Sequence, residues 1–496
     1  MSDQCKCLFK EAFFNFESYI RGKNINFLIG AGASAGVYNT LKINDYFSFE
    51  DLITLSGWDE LTKQVLYLFF YEKVIKPMFE IETEINKATQ DEESDFAKVF
   101  QNYKDFIEKL YIFLQNESND RPRKINIFTT NYDLFFEHAY DKVSSNFPLS
   151  IFNDGSKGIF NKVVDVNYFN FNTWQSGITD KYEYSVPTIN LLKLHGSISW
   201  VVDENKEIKS VFNLDKNKPL VDIKKDNLSN KIEEISNLSE KPKTNILLNT
   251  QINFSDSNEN IIKNINDLID DLSGEEQVKD VITNYIENNT SLDKCLKQIK
   301  THRDKTESNN CEKYIVKFLK YIKAKVFEFL VKQEQLKING EIKKEIDKNE
   351  EVKQKLKKFD ENYKNISIVN PDKGKFSSTL FQQNYFEFLR FFNYELEKPQ
   401  TILIVFGFSF QDEHIRNIVK RALYNKELLV LAIAYGQSDY ENMEEHFSHI
   451  DNFKYLLCSS KNCNYRGKYD NIEKGNFDFL VNNLFRFIDI KKSSER

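Results

Sequence analysis

The sequence predicts an α/β fold, a parallel β-sheet flanked by helices and carrying a large, mainly helical insertion. Three observations predict it. Short β-branched or aromatic runs recur and close on Gly, Ser, Thr or Asn. Segments with apolar residues at three- and four-residue steps lie between them. Residues 201–365 then change texture and are dominated by Lys, Glu, Asp and Asn. Strands that alternate with helices build parallel sheets covered on both faces. A chain of 496 residues also exceeds the length at which one core usually stops growing. These features divide it into a sheet-forming domain, 1–200 together with 366–496, and an inserted charged region, 201–365.

Taken in order, "NINFLIGAGASAG" reads as a buried strand, Ile25 to Ile29, then a turn of small residues with a helix to follow. Ser48 precedes "FEDLITL" with Asp51 three residues on, the spacing at which side chain and backbone cap each other. From Asp95 to Leu114, Val99, Tyr103, Phe106, Leu110 and Leu114 share one helical face. "KINIFTTNYD", "TINLLKLHGS", "KNISIVNP", "TILIVFGFSF" and "ELLVLAIAYG" read as further strands closed by turn residues. Within the insertion, Ile315, Phe318, Leu319, Ile322, Val326, Phe329 and Leu330 form the stripe of an amphipathic helix. The stretch "VDENKEIKSVFNLDKNKPLVDIKKDNLSN" lacks sustained periodicity and reads as exposed connections.

Composition excludes several classes of function. A net charge of −7 offers no bulk attraction to nucleic acid. No apolar run reaches the roughly 18 residues of a membrane span. "MSDQCKCLFKEAFFNF" lacks the ordered parts of an export signal, so a cytoplasmic location is expected. Six scattered cysteines predict free thiols. Neither Cys5/Cys7 nor Cys458/Cys463 has zinc-knuckle spacing, and His446 and His449 lack a third ligand, so no metal is expected. His138 reads as helix packing, and His414, just after Asp412 and Glu413 at a helix start, as structural.

Ligands of parallel α/β sheets sit outside the carboxyl ends of the strands. Four such ends stand out. Gly30-Ala31-Gly32-Ala33-Ser34 offers backbone N–H groups to a pyrophosphate, or is simply a tight turn. Thr129-Thr130-Asn131-Tyr132-Asp133 offers polar side chains, which can also cap the helix that follows. His195 ends "INLLKL" and is placed for general-base work, with Gly196 beside it to admit substrate. Gly407-Phe408-Ser409 is a fourth turn suited to a ribose or phosphate, and Trp200 is a further wall or core residue.

In order and spacing, "GAGAS", "TTNYD", "KLHGS" and "GFS" resemble the sirtuin family, and the match covers roughly 1–200 and 366–496. The resemblance implies a Rossmann-like domain and NAD as substrate. By motif, Gly30, Ala31, Gly32, Ser34 and Thr130 would hold the diphosphate side, Asn131 and Asp133 the nicotinamide ribose, and Gly407 and Ser409 the adenosine ribose, with His195 as the base. The four-cysteine ribbon of protein-deacylating sirtuins is missing, as is their Pro-Asp-Phe-Arg segment, replaced here by "VYNTLKINDYF". "NYFEFLRFFNYELEKPQTILIVFGFSFQDEHI" looks like the sirtuin-like proteins of bacterial antiphage defence. That likeness implies an NAD glycohydrolase, a homo-oligomer and a HerA-like ATPase partner. An ADP-ribosyl or acyl transferase and a non-catalytic NAD-binding assembly module are the alternatives.

Overall fold

Apolar runs become parallel strands here because helices cover both of their faces. The computed structural model describes residues 16–39, 47–176, 183–211, 214, 218–219, 308–371, 383–456 and 475–488. The chain enters with β1 (Asn24–Ile29), one 3-10 turn (Ala31–Ser34) and helices α1 (Phe49–Thr54), α2 (Glu60–Phe70), α3 (Ile81–Ala88) and α4 (Asp95–Gln115). β2 (Lys124–Thr129) and α5 (Phe135–Val143) follow, then short strands β3 (Ile151–Asn153), β4 (Ser156–Lys157), β5 (Lys162–Val164), β6 (Trp174–Ser176) and β7 (Glu183–Ser185). β8 (Thr188–Lys193) leads at once into β9 (Gly196–Val202) and β10 (Ile208–Ser210). Then come α6 (Ser308–Asp347), α7 (Glu350–Tyr363), β11 (Ile366–Ile368) and α8 (Gln383–Glu397). β12 (Thr401–Phe406), α9 (Glu413–Ala422), β13 (Leu428–Ile433), α10 (Gln437–Phe447) and β14 (Phe453–Tyr455) complete the order.

Seven strands pair in the order β14-β13-β12-β1-β2-β8-β3, every pair parallel, in a Rossmann-like arrangement. Strand order reverses between β1 and β12, and such a reversal opens a crevice at the carboxyl ends. Alternation along the strands decides the two faces. Phe27, Ile127, Leu191 and Ile404 lie in register in one buried cluster with α4, and Leu28, Phe128, Leu192 and Val405 in another with α8 and α9. Ser48 caps α1 as its spacing predicts, its Oγ accepting from Asp51 N–H at 3.1 Å while Asp51 Oδ2 accepts from Ser48 N–H at 2.9 Å.

One row of the sheet is polar. Asn26, Asn126, Asn190 and Asn153 stand side by side on β1, β2, β8 and β3. Asn126 Nδ2 donates to Asn26 Oδ1 at 2.8 Å, Asn190 Nδ2 to Asn126 Oδ1 at 2.8 Å, and Asn153 Nδ2 to Asn190 Oδ1 at 2.9 Å. The ladder penalises any slip of register, because a shifted strand would bury amides without partners. Asn126→Ala strips a donor from Asn26 and an acceptor from Asn190. At about 1–3 kcal/mol for each orphaned group, it should cost roughly 2–5 kcal/mol in urea unfolding, and a loss under about 0.5 kcal/mol would contradict the ladder's role.

The structure departs from the sequence reading in several places. "KNISIVNP" forms β11, which pairs antiparallel with β9 in a second sheet of order β11-β9-β10-β5-β4 rather than joining the parallel one. The boundary placed at residue 200 therefore falls inside β9. α6 and α7 do not build a core of their own. Phe327, Val331, Phe359 and Tyr363 share the cluster that holds Phe27 and Ile127, and the Phe47 and Phe327 ring centroids are 5.1 Å apart. The helix expected after the glycine turn is one 3-10 turn among the described residues. The side chains of the stripe from Ile315 to Leu330 and of all six cysteines lie outside the described residues. The described buried face of α6 runs through Phe327, Val331, Gln335, Ile338, Ile342 and Ile346. Among the described residues no helix is long and apolar enough to cross a membrane.

Candidate functional site

The four polar strand ends meet at one edge of the parallel sheet, where hydrogen bonds join them in a closed circuit. From the β1 turn, Gly30 N–H donates to Phe406 O at 3.0 Å and Gly32 N–H to Gly407 O at 2.9 Å. Between the β1 and β2 ends, Thr130 N–H donates to Ile29 O at 3.2 Å and Ser34 Oγ to Asp133 Oδ2 at 3.2 Å. Between β2 and β8, Leu194 N–H donates to Thr129 O at 2.8 Å and Ile198 N–H to Tyr132 O at 3.2 Å. His195 Nε2, beyond β8, lies 3.1 Å from His414 Nε2, beyond β12. Those two strands are three places apart in the sheet, about 14 Å at the usual strand spacing, so the histidine contact bridges over the ends of β1 and β2.

Glycines make this convergence possible. A Cβ on Gly30 would sit 2.5 Å from Gly407 O, and one on Gly32 2.6 Å from Gly407 Cα. Gly407 itself has φ +62°. The two turns thus press backbone against backbone, and the N–H groups of Gly30 and Gly32 are spent inside the protein. A diphosphate at this turn would have to be met by its other groups. Ala31 and Ser409 are exposed at the rim, whereas Ser34 is buried. Phe410, at φ +59°, holds a backbone conformation that its ring enforces by burial against Phe408 and Phe447, with centroids at 5.2 and 4.9 Å. That bend turns Asp412 and His414 back toward His195.

Polar atoms without partners gather around Asp133. Asn131 Oδ1 and the Tyr38 hydroxyl are buried and make no hydrogen bond, and the buried Tyr103 hydroxyl beside them faces the side chains of Asn131 and Ser34. Asn131 is 7 % exposed, and its Nδ2 donates to Ser34 Oγ at a long 3.5 Å. Both tyrosine rings pack on Phe135, at 5.3 and 4.9 Å. Burial, reinforced by the Asp133 charge, pushes both hydroxyls above the ordinary tyrosine range. Two orphaned polar groups in one place, Asn131 Oδ1 and the Tyr38 hydroxyl, mark where polar atoms of a ligand or water would be satisfied.

Burial also raises the Asp133 carboxyl above the ordinary carboxylate range, although Lys193 and hydrogen bonds from Phe135 N–H and Ser34 pull it down. A carboxyl with a raised folded-state pKa contributes stability below the unfolded value, about 4, and loses it as pH rises through the folded value. Asp133→Asn can keep both bonds, so it should hold or raise the melting temperature at pH 7 and flatten its fall from pH 4 to 7. Asp133 Oδ1 also accepts from Phe135 N–H at 3.2 Å, so the capping role open to this loop is real as well.

His195 is 3 % exposed and His414 8 %. In their contact one Nε2 donates and the other accepts, sharing one proton between them. Asp412 Oδ1 lies 4.0 Å from His414 Nδ1. The reading of His414 as structural missed this meeting, which the spacing Asp-x-His just past a glycine turn at a strand end would have signalled. Gly196 does not admit a substrate. Its φ is +87°, and a Cβ there would lie 2.0 Å from Ser367 O and 2.7 Å from the Tyr385 hydroxyl, so the space belongs to β11 and α8. Lys193 is a second residue the sequence reading missed, a lone charge in an apolar strand. It is 2 % exposed, paired with Glu137 Oε1 at 2.7 Å, and its Nζ donates to the Asp133 carbonyl. Trp200 stacks on Phe388 in the core at 5.7 Å, away from a wall role. No family model and no curated protein matches the chain.

Proposed function

We propose that the chain is an NAD glycohydrolase that cleaves the nicotinamide–ribose bond with water to give nicotinamide and ADP-ribose. The closed circuit of four strand ends around the orphaned polar cluster carries this reading, because it brings amide, carboxylate and imidazole to one rim at the switch point of the sheet. Nicotinamide leaves a cationic precursor as a neutral ring and needs no proton. What remains is to stabilise the oxocarbenium-like ribose and direct water to it. Asn131 Oδ1 accepts from a ribose hydroxyl or the attacking water, the Asp133 carboxylate faces the developing positive charge, and His195 takes the proton that water gives up. Ala31, Ser34 and Thr130 meet the diphosphate, and Gly407 and Ser409 the adenosine ribose.

His195, Asn131 and Asp133 are all nearly closed to solvent, which accords with a destructive enzyme held at low basal turnover. Association with further copies or with a HerA-like ATPase would part the rim, and NAD depletion during phage infection would be the outcome. Incubation with NAD and no acceptor tests the chemistry: free nicotinamide and ADP-ribose in equal amounts support hydrolysis, whereas ADP-ribose attached to protein makes the chain a transferase. Size-exclusion chromatography coupled to NAD consumption tests the control. Turnover should rise with assembly, and high constitutive turnover of a monomer would contradict it.

A further inference from the structure

We infer that His195, Asp412 and His414 bind a divalent transition-metal ion of the Zn2+ kind at the rim. One ligand atom from each of the three lies within 4.8 Å of the other two, and no other such group of His, Cys, Asp or Glu occurs among the described residues. Zn2+ binds imidazole nitrogen and carboxylate oxygen at about 2.0–2.2 Å, which sets tetrahedral ligand atoms about 3.3 Å apart. The two Nε2 atoms are already 3.1 Å apart. The Asp412 carboxylate lies 4.0 Å from His414 Nδ1 and reaches the two Nε2 atoms by a change of its side-chain torsions.

The donor chemistry favours a borderline ion. Two imidazoles and one carboxylate, with no thiolate, leave a fourth position open, as catalytic zinc sites do. The scaffold is also built to hold such a set. His195 sits between β8 and β9, with its carbonyl accepting from Val369 N–H at 2.8 Å, and the α9 start that carries His414 is fixed by Arg416, whose guanidinium donates to Phe410 O at 2.7 Å. A bound ion replaces the shared proton and clasps the β8 and β12 ends together across the sheet edge. With His195 Nε2 on the metal, its lone pair no longer accepts a proton, so the ion would hold the rim in a resting state.

The test reads metal rather than turnover, so its failure and that of the NAD reading are distinguishable. The full chain is equilibrated with Zn2+, dialysed against metal-free buffer and assayed for zinc by mass spectrometry, with circular dichroism to confirm folding. One zinc per chain is expected, lost in both Asp412→Ala and His414→Gln, and unaffected when Cys458 and Cys463 are replaced by Ser. Co2+ in place of Zn2+ should give strong visible absorption of low coordination number that disappears in the same two variants. No retained zinc, or equal zinc in folded Asp412→Ala and His414→Gln, overturns the site. In those cases the histidine contact is a hydrogen bond alone.

Discussion

If the chain cleaves NAD as proposed, His195→Ala is expected to lower that cleavage by about 10²- to 10⁴-fold, the usual worth of a positioned general base. The imidazole ends β8 at the rim, one residue from the strand that carries Lys193 beneath Asp133, and its Nε2 points across the sheet edge. Its backbone bond from Val369 N–H does not depend on the ring, whereas the truncation leaves the buried His414 Nε2 without its partner. Stability should therefore fall by about 1–3 kcal/mol while turnover of the folded protein collapses. Asn131→Ala should also lose turnover, since it removes the unpartnered Oδ1. Undiminished turnover in either folded variant would remove that residue from the chemistry.

Gly196→Ala should cause a large loss of stability. Two penalties coincide there. A left-handed φ of +87° costs an alanine about 1–2 kcal/mol, and a Cβ 2.0 Å from Ser367 O forces backbone apart, at roughly 1–3 kcal/mol more. The strain falls on the pairing of β9 with β11, where Gly196 stands opposite Ile368. Gly36→Ala provides the comparison: its φ is +90° but nothing lies within 4 Å of the added atom, so only the first penalty applies. Urea midpoints should place Gly196→Ala about 1–3 kcal/mol below Gly36→Ala. Equal losses would mean that β11 does not press on this position.

The parallel sheet was legible because its central strands are long and apolar on both faces. "NINFLI", "KINIFT", "TINLLK", "TILIVF" and "LLVLAI" each became a strand whose polar or glycine-rich end points to one edge. Strands of two or three residues, such as β3, β4, β5 and β14, carry no periodicity to read, and their existence follows from tertiary pairing. "ISI" looked like a parallel strand because an apolar triplet does not state its direction. The proposed site residues Asn131, Asp133 and His195 could be picked out from position at strand ends. Tyr38, Tyr103 and Lys193 could not, since their roles arise from burial beside Asp133, which only the folded chain creates. His414 was hidden for a different reason: its helix-start setting supplied a sufficient local explanation, and its partner is 219 residues away in sequence.

Hydrogen–deuterium exchange of the His195→Ala protein, in which NAD cleavage is expected to be slow, tests most directly whether this rim grips a dinucleotide. With NAD at millimolar concentration, exchange should slow together in the segments 30–38, 129–135, 194–199 and 407–414. Slowing confined to other segments, or none at any NAD concentration, would contradict a dinucleotide site at the carboxyl edge of the sheet.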